Sequence, residues 1–317
     1  MTDFQAYSPS HVVSGIDDWN QLLDHGIEKP VRSIIRKKAD GTIEAINGST
    51  GKIEYSGTDA ATVINSAIAV LTNGSRILVK AGDYTLTATL LVSSKQGIVL
   101  EGEGRHATKL TAQHADHVIK VTGSKNVTVQ GFYINGNRAT YSTLDGIHMG
   151  NSPFTVVQDC WIVATGRDGV RVFNASTYSK VLRNWIGGSQ DSEKVGWDGV
   201  WVDGGSAFCI VAHNHVIKAL YVGIELDGNS HHCIASENVV EYCGEDASDV
   251  WPGIKLYGVS GAVVIGNVIK NCYQHGIYSG VSAQNMLIAS NTFNSATLKA
   301  AMTICFGLWH LPSMPRP

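Results

Sequence analysis

Two short stretches of the chain, GWDGVWVDG at 196–204 and YVGIELDG at 221–228, set carboxylates in matching slots: Asp203 near the end of the first, Asp227 near the end of the second, and Glu225 two residues before it. Arg171 and Lys255 stand at related distances on either side. Residues of these types support three chemistries. Paired carboxyl groups can split an acetal, one as acid and the other as nucleophile or base. Asp203, Glu225 and Asp227 together can hold Ca²⁺ through oxygen ligands, and that cation can bridge a substrate carboxylate. Lys255 or Arg171, freed of its proton by burial or by neighbouring positive charge, then removes the adjacent proton in a β-elimination. Epimerisation at the same carbon begins with the same abstraction. The catalytic candidates are therefore Asp203, Glu225, Asp227, Lys255 and Arg171.

What positions them is a repeat. Gly-aliphatic steps fall at Gly146, Gly169, Gly199, Gly223, Gly253 and Gly276, at intervals of 23, 30, 24, 30 and 23. A second landmark is an Asn before an apolar pair, at Asn184, Asn214, Asn238, Asn267 and Asn291, with Phe132 and Cys160 in the equivalent slot. From Gly to the next Asn slot the count is 14 or 15; from the slot to the next Gly it alternates 14, 9, 15, 9, 15, 9. All length variation sits in one connection. Short period-two apolar runs between turn residues predict strands, and coils of about 24 residues predict an all-β parallel β-helix stacked at the ~4.8 Å strand spacing. The Asn slot is expected to form a buried corner ladder. Cys209 is expected over Cys233 and Cys243 over Cys272, as stacked small residues rather than disulfides.

If the aliphatic residue after each Gly points inward, alternation gives two outward columns. The first runs His148, Arg171, Trp201, Glu225, Lys255, Tyr278; the second runs Gly150, Phe173, Asp203, Asp227, Tyr257, Gly280. The long connections, 135–145, 187–198 and 241–252, are expected to rise beside them as walls carrying Asp145, Asp191, Glu193, Trp197, Asp198, Glu245, Asp246, Asp249 and Trp251. A trough with a charged floor and aromatic walls suits an extended polysaccharide, with His148, Trp197, Trp201, Trp251, Tyr257 and Tyr278 as binding residues. Trp161 and Trp185, beside the corner slot, read as packing residues, and His213, His215, His231 and His232 as turn and surface residues.

Composition narrows the classes. With 44% hydrophobic residues the chain can bury a large core, and with 16% charged residues and 7 Pro it is neither disordered nor a long-helix protein. A net charge of −3 without clustered Lys and Arg excludes nucleic acid as the expected partner. No 18-residue apolar run predicts a membrane span, and MTDFQAYSPSHVV shows no secretion signal. Location stays open: extracellular if a signal was removed, otherwise cytoplasmic or virion. The expected organisation is a strand-rich extension over 1–55, a β-helix over 56–305 and an irregular tail over 306–317.

Residues 57–109 carry a resemblance. Thr58-Asp59-Ala60, an apolar helical pattern at Ala60, Ile64, Ala67, Ile68 and Leu71, Gly82 with Tyr84 in a turn, then Gly-x-Gly at 102–104 and a Thr-x-Leu start at Thr108 resemble the entry segment of the pectate-lyase-like right-handed β-helix superfamily. The resemblance implies a right-handed helix plugged by an N-terminal capping helix over about 59–72. It also implies a range of activities: polysaccharide lyases, glycoside hydrolases, epimerases and phage tailspikes. The Asn-Thr-Asp, Asp-Asp, Gly-His-Gly and Arg-Ile-Lys series of polygalacturonase-type hydrolases meets Val202-Asp203-Gly204, Leu226-Asp227-Gly228, Gln274-His275-Gly276 and Gly253-Ile254-Lys255 here, so that catalytic set does not carry over. The Asp-Pro-His of mannuronan epimerases is missing. The expectation is a lyase acting on a uronate-containing polysaccharide. Its alternatives are a glycoside hydrolase with paired carboxylates, or a non-catalytic glycan-binding or tailspike-like protein, trimeric in the last case.

Overall fold

The computed structural model describes residues 31–246, 251–280, 282–294 and 300–304. Each coil contributes a strand to each of three parallel sheets. Sheet A collects Arg76–Val79 and its successors, sheet B Gly82–Leu86 and its successors, sheet C Leu90–Ser93 and its successors. Among the described residues sheets B and C each have nine strands, and sheet A reaches twelve by adding Val31–Lys37, Ile43–Asn47 and Ile53–Gly57 at its first edge. Val31–Lys37 pairs in parallel with Arg76–Val79, and the other two continue as an antiparallel meander.

The register follows the residue alternation. Ile147, Val170, Val200, Ile224, Ile254 and Ile277 stack inward and are fully buried. Their glycines are a steric requirement of the coil spacing: a Cβ on Gly199 would lie 2.5 Å from the Gly223 carbonyl oxygen and 2.3 Å from Val216 Cγ1. At the corner between sheets A and B, the Asn238 Oδ1 accepts both the backbone N–H and the side-chain N–H of Asn214, while its Nδ2 donates to Val211 O and to Asn267 Oδ1. The ladder runs from Asn184 to Asn291, and the Cys160 N–H joins it by donating to Asn184 Oδ1. Cys209 and Cys233 stack as free thiols, the Cys209 N–H pointing at Cys233 Sγ.

The helix spans Ala60–Ala69, ending short of Leu71, the last residue of its apolar pattern. Asp59 caps it, accepting the Thr62 N–H at 3.1 Å. Its Ala60, Val63, Ile64, Ala67 and Ile68 are buried at the first coil, closing an end whose apolar interior and strand edges would otherwise meet water. No helix among the described residues is long and apolar enough to cross a membrane.

Candidate functional site

Sheet C carries the first outward column in the expected register: His148 beside Arg171, then Trp201, Glu225, Lys255 and Tyr278 on successive coils. Asp203, Asp227 and Tyr257 continue the second, their backbone N–H groups donating to Val172 O, Val202 O and Leu226 O of the preceding coil. Each aspartate then accepts the next glycine's N–H, Gly204 and Gly228, both at 2.5 Å. Both glycines have positive φ, and at Gly228 a Cβ would sit 1.9 Å from Asp203 Oδ1, so the Asp-Gly pair is what lets one carboxylate nest against the next coil.

The cations lie against rings and acids. Arg171 stacks on Trp201 at 4.1 Å and on Phe173 at 4.7 Å, and its guanidinium is 3.5 Å from Asp203. Lys255 sits 3.0 Å from Glu225 Oε1 and over Trp251 and Tyr257. The walls hold Trp197, Tyr221 and Trp251, the last two stacked at 4.6 Å, with Arg167 over Trp197 at 4.3 Å. Lys194 ties two walls together by pairing with Asp191 and Glu245. Asp249 lies outside the described residues.

Several expectations need correction. Asp145 and Asp198 are not wall acids. With Asp168 they form a buried file at the entry to sheet C, in which Asp145 Oδ1 accepts the Asp168 N–H, Asp168 Oδ1 the Asp198 N–H, and Asp198 Oδ1 the Val222 N–H. The signal was present as Asp-Gly on three consecutive coils, but Asp before Gly also reads as an ordinary turn. Trp161 and Trp185 pack on one another and on His215 in register along the outer face of sheet B. The three acids Asp203, Glu225 and Asp227 do not close into a ligand set. Among the described residues, the group of three whose ligand atoms lie within 4.8 Å of one another is His117, Asp145 and His148. His148 is thus drawn toward Asp145 instead of standing free in the trough.

Burial sets the acids' protonation. Asp198 is raised well above the usual carboxylate range, by burial first and then by the charge of Glu225; Asp168 is raised likewise, by burial and by Asp145. Glu225 is raised by burial against the pull of Lys255, and it hydrogen-bonds the Asp198 carboxyl, so the two share a proton. Asp227, half-buried, is raised by burial and by the Asp203 charge, with the Gly228 N–H opposing. Five buried side-chain polar atoms in this region have no partner: Asp168 Oδ2, Arg167 Nε, Arg171 Nε, Trp201 Nε1 and Trp251 Nε1. Such atoms are costly unless a ligand or water meets them. A separate cleft of about 860 Å³ lies at the capped end, between the helix and the strand Leu90–Ser93, and none of these acids lines it.

A family model described as right handed beta helix region matches residues 66–240, more than half of the 317. A second, described as periplasmic copper-binding protein (NosD), matches 191–313. No curated protein matches in sequence. Among solved structures, pectate lyase Pel9A is similar over 89% of this chain and 79% of its own, at 13% identity and a TM-score of 0.58. ORF18 of Geobacillus virus E2 matches over 96% and 66%, at 13% and 0.53. The enzymatically active domain of tailspike protein 2 of bacteriophage CBA120 matches over 86% and 45%, at 11% and 0.57. This chain spans about two thirds of the Geobacillus virus protein and under half of the tailspike domain; at these identities the likeness is one of fold.

Proposed function

The chain belongs to the right-handed β-helix family, and from that premise we propose that sheet C binds an extended, acidic polysaccharide and that Asp203 and Asp227 hydrolyse a glycosidic bond in it. The observation that carries this reading is the unlike surroundings of two carboxyls on successive coils: Asp227 is raised by burial and by its neighbour's charge, whereas Asp203 faces the Arg171 guanidinium. Carboxyls whose environments differ in this way divide the roles of acid and nucleophile. Stacked at the ~4.8 Å coil spacing, they suit a retaining mechanism. Asp227 protonates the leaving oxygen while Asp203 attacks the anomeric carbon. Water then releases the glycosyl ester, with Asp227 taking the water's proton.

Arg171 and Lys255 serve as anchors for sugar carboxylates, and Trp197, Trp201, Trp251 and Tyr257 as platforms for sugar faces. The β-elimination alternative asks Lys255 to reach a sugar C–H, whereas its Nζ lies 3.0 Å from Glu225 Oε1.

The test is incubation with neutral and uronate polysaccharides. The expected products are new reducing ends with retained anomeric configuration by NMR, and Asp203→Asn and Asp227→Asn each lower the rate on the order of 10³-fold or more while glycan binding persists. Ultraviolet absorbance from an unsaturated uronate would replace this reading with β-elimination. Binding without any product would make the chain a glycan-binding module.

A further inference from the structure

The buried file of aspartates ends, on the side away from Glu225, in an arrangement that the hydrolytic reading does not use. Asp145 has no exposed surface; its Oδ1 is taken by the Asp168 N–H at 3.2 Å, so Oδ2 is left to face His117 Nδ1 at 3.1 Å and His148 Nδ1 at 2.9 Å. Both imidazoles are largely buried, and they stack with centroids 4.3 Å apart. We propose that His117, Asp145 and His148 form a binding site for a divalent transition-metal ion of the zinc class, joining two successive coils at the upper end of the trough.

The separations fit that chemistry. Three donors held about 2.1 Å from one ion lie roughly 3 to 3.4 Å apart, and the two O–N distances here are 3.1 and 2.9 Å. His117 Nδ1 also lies 3.2 Å from the Asp145 amide nitrogen, whose N–H competes with a metal ion for the one lone pair of that ring nitrogen. Two imidazole nitrogens and one carboxylate oxygen suit Zn²⁺, Ni²⁺ or Cu²⁺ and are a poor set for Ca²⁺, which takes six or more oxygens.

The carboxylate is fixed from behind by the Asp168 amide, as an outer-sphere contact would fix it. The rings are the adjustable members: at an interplanar angle of 17° they must open from their stack for both planes to pass through one ion. His148 is Arg171's neighbour in register, so the site adjoins the first outward column of sheet C. The copper-binding family match covers 191–313, on other coils, and contributes nothing here.

The experiment uses the full chain stripped with chelator and dialysed, so that it does not depend on any catalytic activity. Zn²⁺ is titrated by calorimetry with melting followed in parallel, and Co²⁺ is added for its visible absorption. One Zn²⁺ per chain, a raised Tm and Co²⁺ bands of a nitrogen-containing site are expected, with Ca²⁺ inert. His117→Gln and His148→Gln should each weaken Zn²⁺ binding about 100-fold or more, and Glu225→Gln should leave it unchanged. No binding of Zn²⁺ or Co²⁺ to the parent chain, equal binding by both His variants, or loss of binding in Glu225→Gln overturns the site. Should either His variant fail to fold, the Co²⁺ spectrum of the parent decides alone: bands of an oxygen-only environment overturn it.

Discussion

Asp198 meets Glu225 beneath the floor of the trough, and the pair has a measurable consequence for stability. Both are held above their unfolded values, chiefly by burial. The native state therefore keeps protons that the unfolded chain releases. Stability is fullest below the unfolded carboxyl values near pH ~4 and falls as pH rises through the folded ones. Asp198→Asn retains an oxygen for the Val222 N–H and a donor for Glu225. It should raise Tm at neutral pH by about 1–2 °C for ~1 kcal/mol in a chain of this size and flatten the slope of Tm against pH; an unchanged slope would place the raised proton elsewhere. At this scale the sequence exposed what alternation governs. Arg171, Trp201, Glu225 and Lys255 could be lined up because every second residue of a strand faces out. Asp145 and Asp198 were misread, and Asp168 was passed over, because their burial depends on the amide of the next coil, a partner some 23 to 30 residues away that no local pattern announces.

Corners and glycine steps carry the coil as an element. Asn238→Ala removes an acceptor for two Asn214 N–H groups and strands Val211 O inside the protein, a loss of roughly 3–5 kcal/mol in denaturant melts. Gly199→Ala forces a methyl group onto the Gly223 carbonyl and Val216, and should cost about 3 kcal/mol or more. If Gly199→Ala melts like the parent, the close approach of coils at that step is relaxed in solution. Both elements were readable in sequence because their residue types are dictated by sterics and hydrogen-bond capacity. The helix was readable in place but not in length, since Val70 and Leu71 extend the apolar pattern past the point where the backbone leaves the helix.

Across the whole molecule, each coil touches chiefly its two neighbours, so stability is close to a sum of coil and interface contributions. That regularity is why the β-helix was legible while the chemistry was not: the repeat fixes where side chains point, and the proposed hydrolysis rests on a few acids that only two coils carry. It also makes whole coils removable. Excising 184–237 joins one corner Asn position to its equivalent two coils on; excising 214–237 removes one short coil and sets two long connections on adjacent coils. The larger deletion should therefore melt cooperatively at the higher temperature by circular dichroism, despite losing more chain. The reverse order would mean that the long connections can pack on consecutive coils.

The alternation of long and short connections gives the trough a pitch of its own. Backbone spacing repeats every ~4.8 Å, but the long connections return only every second coil, about 9.6 Å apart. The molecule is thus graduated like a ruler with fine and coarse marks, and a polymer whose chemical repeat is two sugars would meet equivalent walls at each step, whereas a polymer repeating every three would fall out of phase.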